Sequence, residues 1–134
     1  MKIARVDANH PDGSHLERTF DTLWRQVGGP DLAKQVPIVQ YRRFRFDRAH
    51  ITARVAIELD GGTWGVGGQP CECCGQRQLG GHSTGTGRRR DCEKGNLAAL
   101  RGWTVFRLTT DMLENDPWRD LTLIRDFILG RLEG

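Results

Sequence analysis

Two stretches with a period of two, Tyr41-Arg-Arg-Phe-Arg-Phe-Asp47 and Val55-Ala-Ile-Glu-Leu-Asp60, constrain this chain more than any other feature, because both carry acids among apolar residues. The alternation predicts two β-strands. Phe44 and Phe46 face one way, Arg45 and Asp47 the other; Val55, Ile57 and Leu59 face one way, Ala56, Glu58 and Asp60 the other. A hairpin turning about Thr52-Ala53 sets Asp47 opposite Glu58 and Arg45 opposite Asp60. Directly opposed side chains have Cβ atoms about 4.5–5.5 Å apart, and like charges there destabilise the pair. Carboxylates inside a sheet are also costly unless a cation or a hydrogen-bond donor meets them. Two arrangements relieve the cost. A divalent cation bridges Asp47 and Glu58, or Glu58 and Asp60 pair with Arg45 and Arg54 in a cross-strand network.

Around this hairpin the chain reads as a single domain of 134 residues in the α/β (α+β) class. Residues 14–27 predict a helix, with Leu16, Phe20, Leu23, Trp24 and Val27 at helical spacing. Ser14 and Glu17 match a capping box, and Gly28-Gly29-Pro30 stops the helix. Residues 31–40 suggest a short helical turn and then an extended Ile38-Val39. Residues 91–101 read as a second helix, capped by Asp91, with Leu97 and Leu100 towards the core and Gly102 after its end. Residues 103–108 alternate as a strand. Asp116-Pro117 opens a last helix with Trp118, Leu121, Ile124 and Ile128 on one face. Between the hairpin and the second helix, residues 61–90 hold 10 of the 17 glycines and show little periodicity, which marks a long functional loop insertion.

No apolar run approaches transmembrane length, and the first 30 residues lack a signal-peptide core, so the expectation is a soluble, cytoplasmic chain with no membrane partner. The net charge of +3 is small, but its distribution is uneven. Arg42, Arg43, Arg45 and Arg48 surround Asp47, and Arg88, Arg89 and Arg90 precede Asp91. Clustered guanidinium groups suit phosphate oxygens, making DNA a candidate partner; solvated charged faces are the plainer reading. Cys71, Cys73 and Cys74 crowd into four residues, with Cys92 apart. With His82 they supply four ligands of the kind structural Zn²⁺ takes, and a glycine-rich loop would gain order from it. Free thiols are the alternative, and a disulfide is disfavoured in an intracellular chain.

In the order Phe44-Arg-Phe-Asp47, Val55-Ala-Ile-Glu58-Leu-Asp60-Gly-Gly62, Gly81-His82 with Thr84-Gly85, Asp91-Cys-Glu-Lys94-Gly-Asn96, and Gly102-Trp-Thr-Val-Phe-Arg107-Leu-Thr109, the chain resembles the PD-(D/E)XK nuclease superfamily. Within it the chain is similar to the small phage-type and very-short-patch-repair-like endonucleases. The resemblance implies a restriction-endonuclease-like mixed sheet flanked by helices. It also implies Mg²⁺- or Mn²⁺-dependent hydrolysis of DNA in repair or recombination, and a bacterial or phage setting. Carried over by position, the metal-binding acids are Asp47 and Glu58, joined by Glu17 from the first helix. The family's lysine two residues after the acid is Asp60 here. Some subfamilies move that lysine to the next helix, which points to Lys94, while Asp60 becomes an extra metal ligand or a partner of Arg45. His82 matches a histidine near the family's active site, where it would act as a base or phosphate contact. Arg43, Arg45, Arg88, Arg89 and Arg90 would hold the DNA backbone, and a homodimer would suit paired cuts. A non-catalytic DNA-binding or assembly module, or a nuclease acting on RNA, would use the same scaffold.

Overall fold

In a computed structural model, described for residues 13–61 and 85–134, the chain folds as a four-stranded mixed sheet with helices on both faces. The elements run α1 (His15–Gln26), β1 (Ala33–Pro37), β2 (Arg45–His50), β3 (Val55–Asp60), α2 (Gly85–Leu100), β4 (Thr104–Thr109), α3 (Thr110–Asn115) and α4 (Pro117–Glu133). Spatial order follows sequence order: β1–β2 and β2–β3 are antiparallel and β3–β4 is parallel, bridged by α2. A parallel pair needs such a crossover, because its strands start at the same end of the sheet.

Two apolar clusters separate the layers. On one face Leu16, Phe20, Leu23 and Trp24 of α1 and Leu121, Ile124 and Ile128 of α4 pack on Val55, Ile57 and Leu108. Phe20, Ile57, Leu121 and Ile128 are fully enclosed, each burial contributing about 1.5–3 kcal/mol. On the other face Ala98 of α2 and Trp103 pack on Phe46, Ala49 and Ala56.

Helix α1 begins as its sequence predicts. The Ser14 hydroxyl accepts the Glu17 N–H at 3.2 Å, and the Glu17 carboxylate accepts the Ser14 N–H at 2.7 Å. It ends at Gly28, whose φ of +72° suits glycine. The β2–β3 register also agrees with expectation, pairing Arg48 with Ile57, Ala49 with Ala56 and His50 with Val55 around a turn at residues 51–54.

Four local expectations are corrected. The second helix is already formed at Gly85, so Asp91 lies in its second turn and is not its cap, and residues 85–90 belong to the helix rather than to the loop. Leu100 is 82% exposed; the helix turns Ala98 to the sheet and Leu97 only partly. Residues 33–37 form an edge strand instead of a helical turn. Trp118 stands half exposed, and the short α3 before it was not foreseen. Cys71, Cys73, Cys74 and His82, the candidate zinc ligands, lie outside the described residues. Cys92 is an exposed free thiol on α2. Among the described residues no helix is long and apolar enough to cross a membrane.

Candidate active site

Glu58 sits on the α2 side of the sheet, by alternation with Ala56, and three elements enclose it. From α2, Lys94 makes an ion pair with Glu58 Oε1; the two side chains are 23% and 14% exposed. Oε1 is itself buried, and both Lys94 and Asp47 act on this carboxyl. The same ammonium lies 5.9 Å from the Phe46 ring centre. From β4, Arg107 is the parallel-register neighbour of Glu58, and both line a cavity under α2.

Asp47 approaches from β2, and here the strand departs from simple alternation. Arg48 turns to α1, while Ala49 joins the α2-side cluster. Phe46 joins that cluster too, packing on Trp103 with ring centres 4.9 Å apart. The intervening residue absorbs the slip. Pairing with β1 passes over Asp47 and Gln35, whose φ is +51°. The Asp47 carboxylate accepts the Leu59 N–H at 2.8 Å, taking a role normally filled by a main-chain carbonyl. It also adjoins Glu58, as the register continued by one residue requires.

Arg48 accounts for the slip. Its side chain is only 2% exposed. Nε and Nη2 donate to the Asp21 carboxylate at 2.8 and 2.9 Å, and Nη1 donates to Glu17 Oε1 at 3.2 Å and to the Asp47 carbonyl at 2.6 Å. A guanidinium so buried requires this many acceptors, and it finds them only by crossing to α1.

The structure therefore brings together Asp47, Glu58 and Lys94 of the sequence-based set and engages Glu17 elsewhere. Both Glu17 oxygens are taken, one by Ser14 and the other by Arg48 and Gln35 Nε2 at 2.9 Å. Asp60 lies two residues beyond Glu58 on β3, half-buried, beside Thr109. Arg45 is exposed and donates to the Gln35 carbonyl at 3.2 Å; Arg54 lies over the Trp103 ring. Neither makes the cross-strand partner of Glu58 that a salt-bridge network would need. Arg88, Arg89 and Arg90 are exposed in the first turns of α2, and Arg43 is exposed in the β1–β2 connection. Glu93 ties that connection to α2, accepting from Arg42 at 2.8 Å and Arg89 at 3.0 Å, and both hold its carboxyl below the usual range.

Sequence reasoning missed the roles of Arg48 and Arg107. The signal for Arg48 was a lone arginine between Phe46 and Ala49, with Glu17 and Asp21 one turn apart on a helix. The signal for Arg107 was the alternation of Val105 and Arg107 in β4, which sets them beside Ala56 and Glu58 once the strands are parallel.

Burial is the main reason the Glu58 carboxyl is raised to about 7, with Asp47 adding to the shift and Lys94 opposing it. A carboxyl that holds its proton more tightly when folded stabilises the fold fully below its unfolded value, and that contribution is lost as pH rises through about 7. Between pH 5 and pH 8 this group is expected to withdraw up to about 3 kcal/mol of stability. Urea denaturation of wild type and Glu58→Gln at the two pH values isolates the effect. The variant should lack that part of the pH slope, and an unchanged slope would mean that Glu58 keeps an ordinary carboxyl.

The chain matches no family model, no curated protein and no solved structure.

Proposed function

We propose that the chain is a metal-dependent DNA endonuclease of the PD-(D/E)XK type, with Asp47 and Glu58 as metal ligands and Lys94 as the assisting cation. The observation that carries this reading is the buried Glu58 carboxylate, adjoined by Asp47 and met by a lysine from the helix that follows the strand.

The donor set fits magnesium. Among the described residues no group of three or more acids, histidines or cysteines gathers. One or two carboxylates are the usual protein share for Mg²⁺, the remainder being waters and phosphate oxygens. The buried Glu58 Oε1, paired with the Lys94 ammonium, is an oxygen that already attracts a cation. When bound, the ion would lower the pKa of a water and neutralise charge developing on the phosphate. Asp47 is oriented by the Leu59 N–H, so its carboxylate does not have to be ordered at the moment of binding. Lys94 stands beside the same oxygen, where an ammonium can hold the attacking water or stabilise the phosphorane. Arg107 supplies a second positive charge to the substrate phosphate. The exposed Arg88, Arg89 and Arg90 extend that charge along α2, where DNA backbone contacts would fall.

The test is direct. Purified protein is incubated with labelled branched, nicked, single-stranded and fully paired DNA, and with RNA, in Mg²⁺ or in EDTA. Cleavage of DNA in Mg²⁺ alone is expected. Binding without cleavage of any substrate, in Mg²⁺ or Mn²⁺, would replace the endonuclease reading with that of a DNA-binding module; preferential cleavage of RNA would move the substrate class.

A further inference from the structure

Asp47 is tied at both of its polar ends by partners outside the regular ladder. Its carbonyl accepts Arg48 Nη1 at 2.6 Å, and its carboxylate accepts the Leu59 N–H at 2.8 Å. On either side of it β1 and β2 are paired, Val36 with Phe46 and Lys34 with Arg48, but Gln35 and Asp47 are not. Gln35 takes a φ of +51°, which a residue with a side chain rarely adopts. Backbone strain of this kind persists only where the surroundings hold it, and it collects at functional sites. Here the hold is visible: Gln35 Nε2 donates at 2.9 Å to the same Glu17 oxygen that Arg48 Nη1 reaches.

Arg48 does not meet Glu58. Its guanidinium is fastened to α1 by three hydrogen bonds, two to Asp21 and one to Glu17. Lys94 reaches Glu58 from α2. The Nη1 group divides its donors between Glu17 and the Asp47 carbonyl, so one buried planar group joins α1 to the main chain of Asp47. With the carbonyl fixed, only side-chain torsions remain to the carboxylate, and the Leu59 N–H settles those.

We propose that Arg48 is a positioning residue for the acid pair: it fixes the Asp47 main chain to α1 and so presets the carboxylate for a divalent cation. Glu17 and Asp21 serve as anchors of the guanidinium and do not meet the ion. The effect on the cation rests on the endonuclease reading; the placement of Asp47 does not.

Wild type, Arg48→Lys and Asp21→Asn separate positioning from mere stability. Lysine keeps the buried charge beside Glu17 and Asp21, so the chain should fold, but without the planar fork it cannot also hold the Asp47 carbonyl. Asp21→Asn weakens the anchor and leaves Arg48 Nη1 with Glu17 and that carbonyl. Both variants should lose stability in urea. In metal-free hydrogen exchange the Leu59 amide, measured relative to Val55 on the same strand, should open about tenfold faster in Arg48→Lys, the scale of one hydrogen bond to a charged group, and within about twofold of wild type in Asp21→Asn. Mn²⁺ titrated at pH 8 should bind Arg48→Lys about tenfold more weakly than wild type, as when a support of a metal ligand is removed, and Asp21→Asn within about twofold. Unchanged Leu59 exchange in Arg48→Lys, or equal losses of protection and affinity in both variants, would overturn the assignment. A wild type that binds no Mn²⁺ while Leu59 responds as expected would sink the metal reading and leave the placement of Asp47 by Arg48 standing, so the two fail separately.

Discussion

Replacing Glu58 with glutamine is expected to lower Mg²⁺-dependent DNA cleavage by at least about 10³-fold. An ion stabilising transition-state charge contributes several kcal/mol, and each 1.36 kcal/mol is tenfold in rate. Glutamine keeps the shape of the side chain and removes its charge, so the loss should appear in kcat with the protein folded. The fold should in fact gain stability above pH 7, because the burial that raises the Glu58 carboxyl opposes only its charged form. Added Mg²⁺ should raise the thermal midpoint of wild type at pH 8 and leave that of the variant unchanged. Lys94→Met should cost less, about 10²-fold, since it removes an assisting charge and leaves both acids in place. Cleavage rates for the three proteins at saturating substrate decide the matter. A Glu58→Gln enzyme within tenfold of wild type would remove Glu58 from the chemistry.

The second large effect is structural. Arg48→Met is expected to destabilise the fold by about 3 kcal/mol or more, measured by chemical denaturation. The substitution fills similar volume, but it strands Glu17 and Asp21, whose side chains are 13% and 26% exposed, without the cation they share. Removing one partner of a buried ion pair costs more than the pair contributes, because the remaining charge stays buried. Lys34, 3.6 Å from Asp21 and half exposed, is too solvated to replace the guanidinium. A loss below about 1 kcal/mol would show that α1 and β2 hold together without Arg48.

These two residues mark where sequence reasoning reached and where it stopped. The Ser14–Glu17 box and the β2–β3 register were legible because each depends on neighbours in sequence. The cap is closed within four residues, and the register follows from one turn. Glu58 and Lys94 could be named separately, but their contact depends on α2 crossing the sheet, which no local pattern encodes. Asp47 was read on the face that strict alternation assigns it. Its actual direction is set by Arg48, whose acceptors lie on a helix more than twenty positions earlier in the chain. The start of α2 is not legible in the sequence because Gly85-Thr-Gly-Arg-Arg-Arg90 lacks apolar periodicity and has two glycines in its first three residues, whose poor helix propensity masks that of the arginines. β1 was missed because it is a short edge strand with a left-handed residue, Gln35, in its middle. The sequence pattern of Glu17 fits both a cap and a metal ligand; the further demand on it, from Arg48, comes from 31 positions later in the chain.

The most direct measurement is calorimetric titration of Mn²⁺ into wild type, Asp47→Asn and Glu58→Gln at pH 8, where Glu58 is ionised and able to serve as a ligand. One site is expected in wild type, weakened at least about tenfold by either substitution and unaffected by Glu17→Gln. Absence of a site in wild type, or equal affinity in all four proteins, would contradict the assignment of Asp47 and Glu58 as the metal-binding pair.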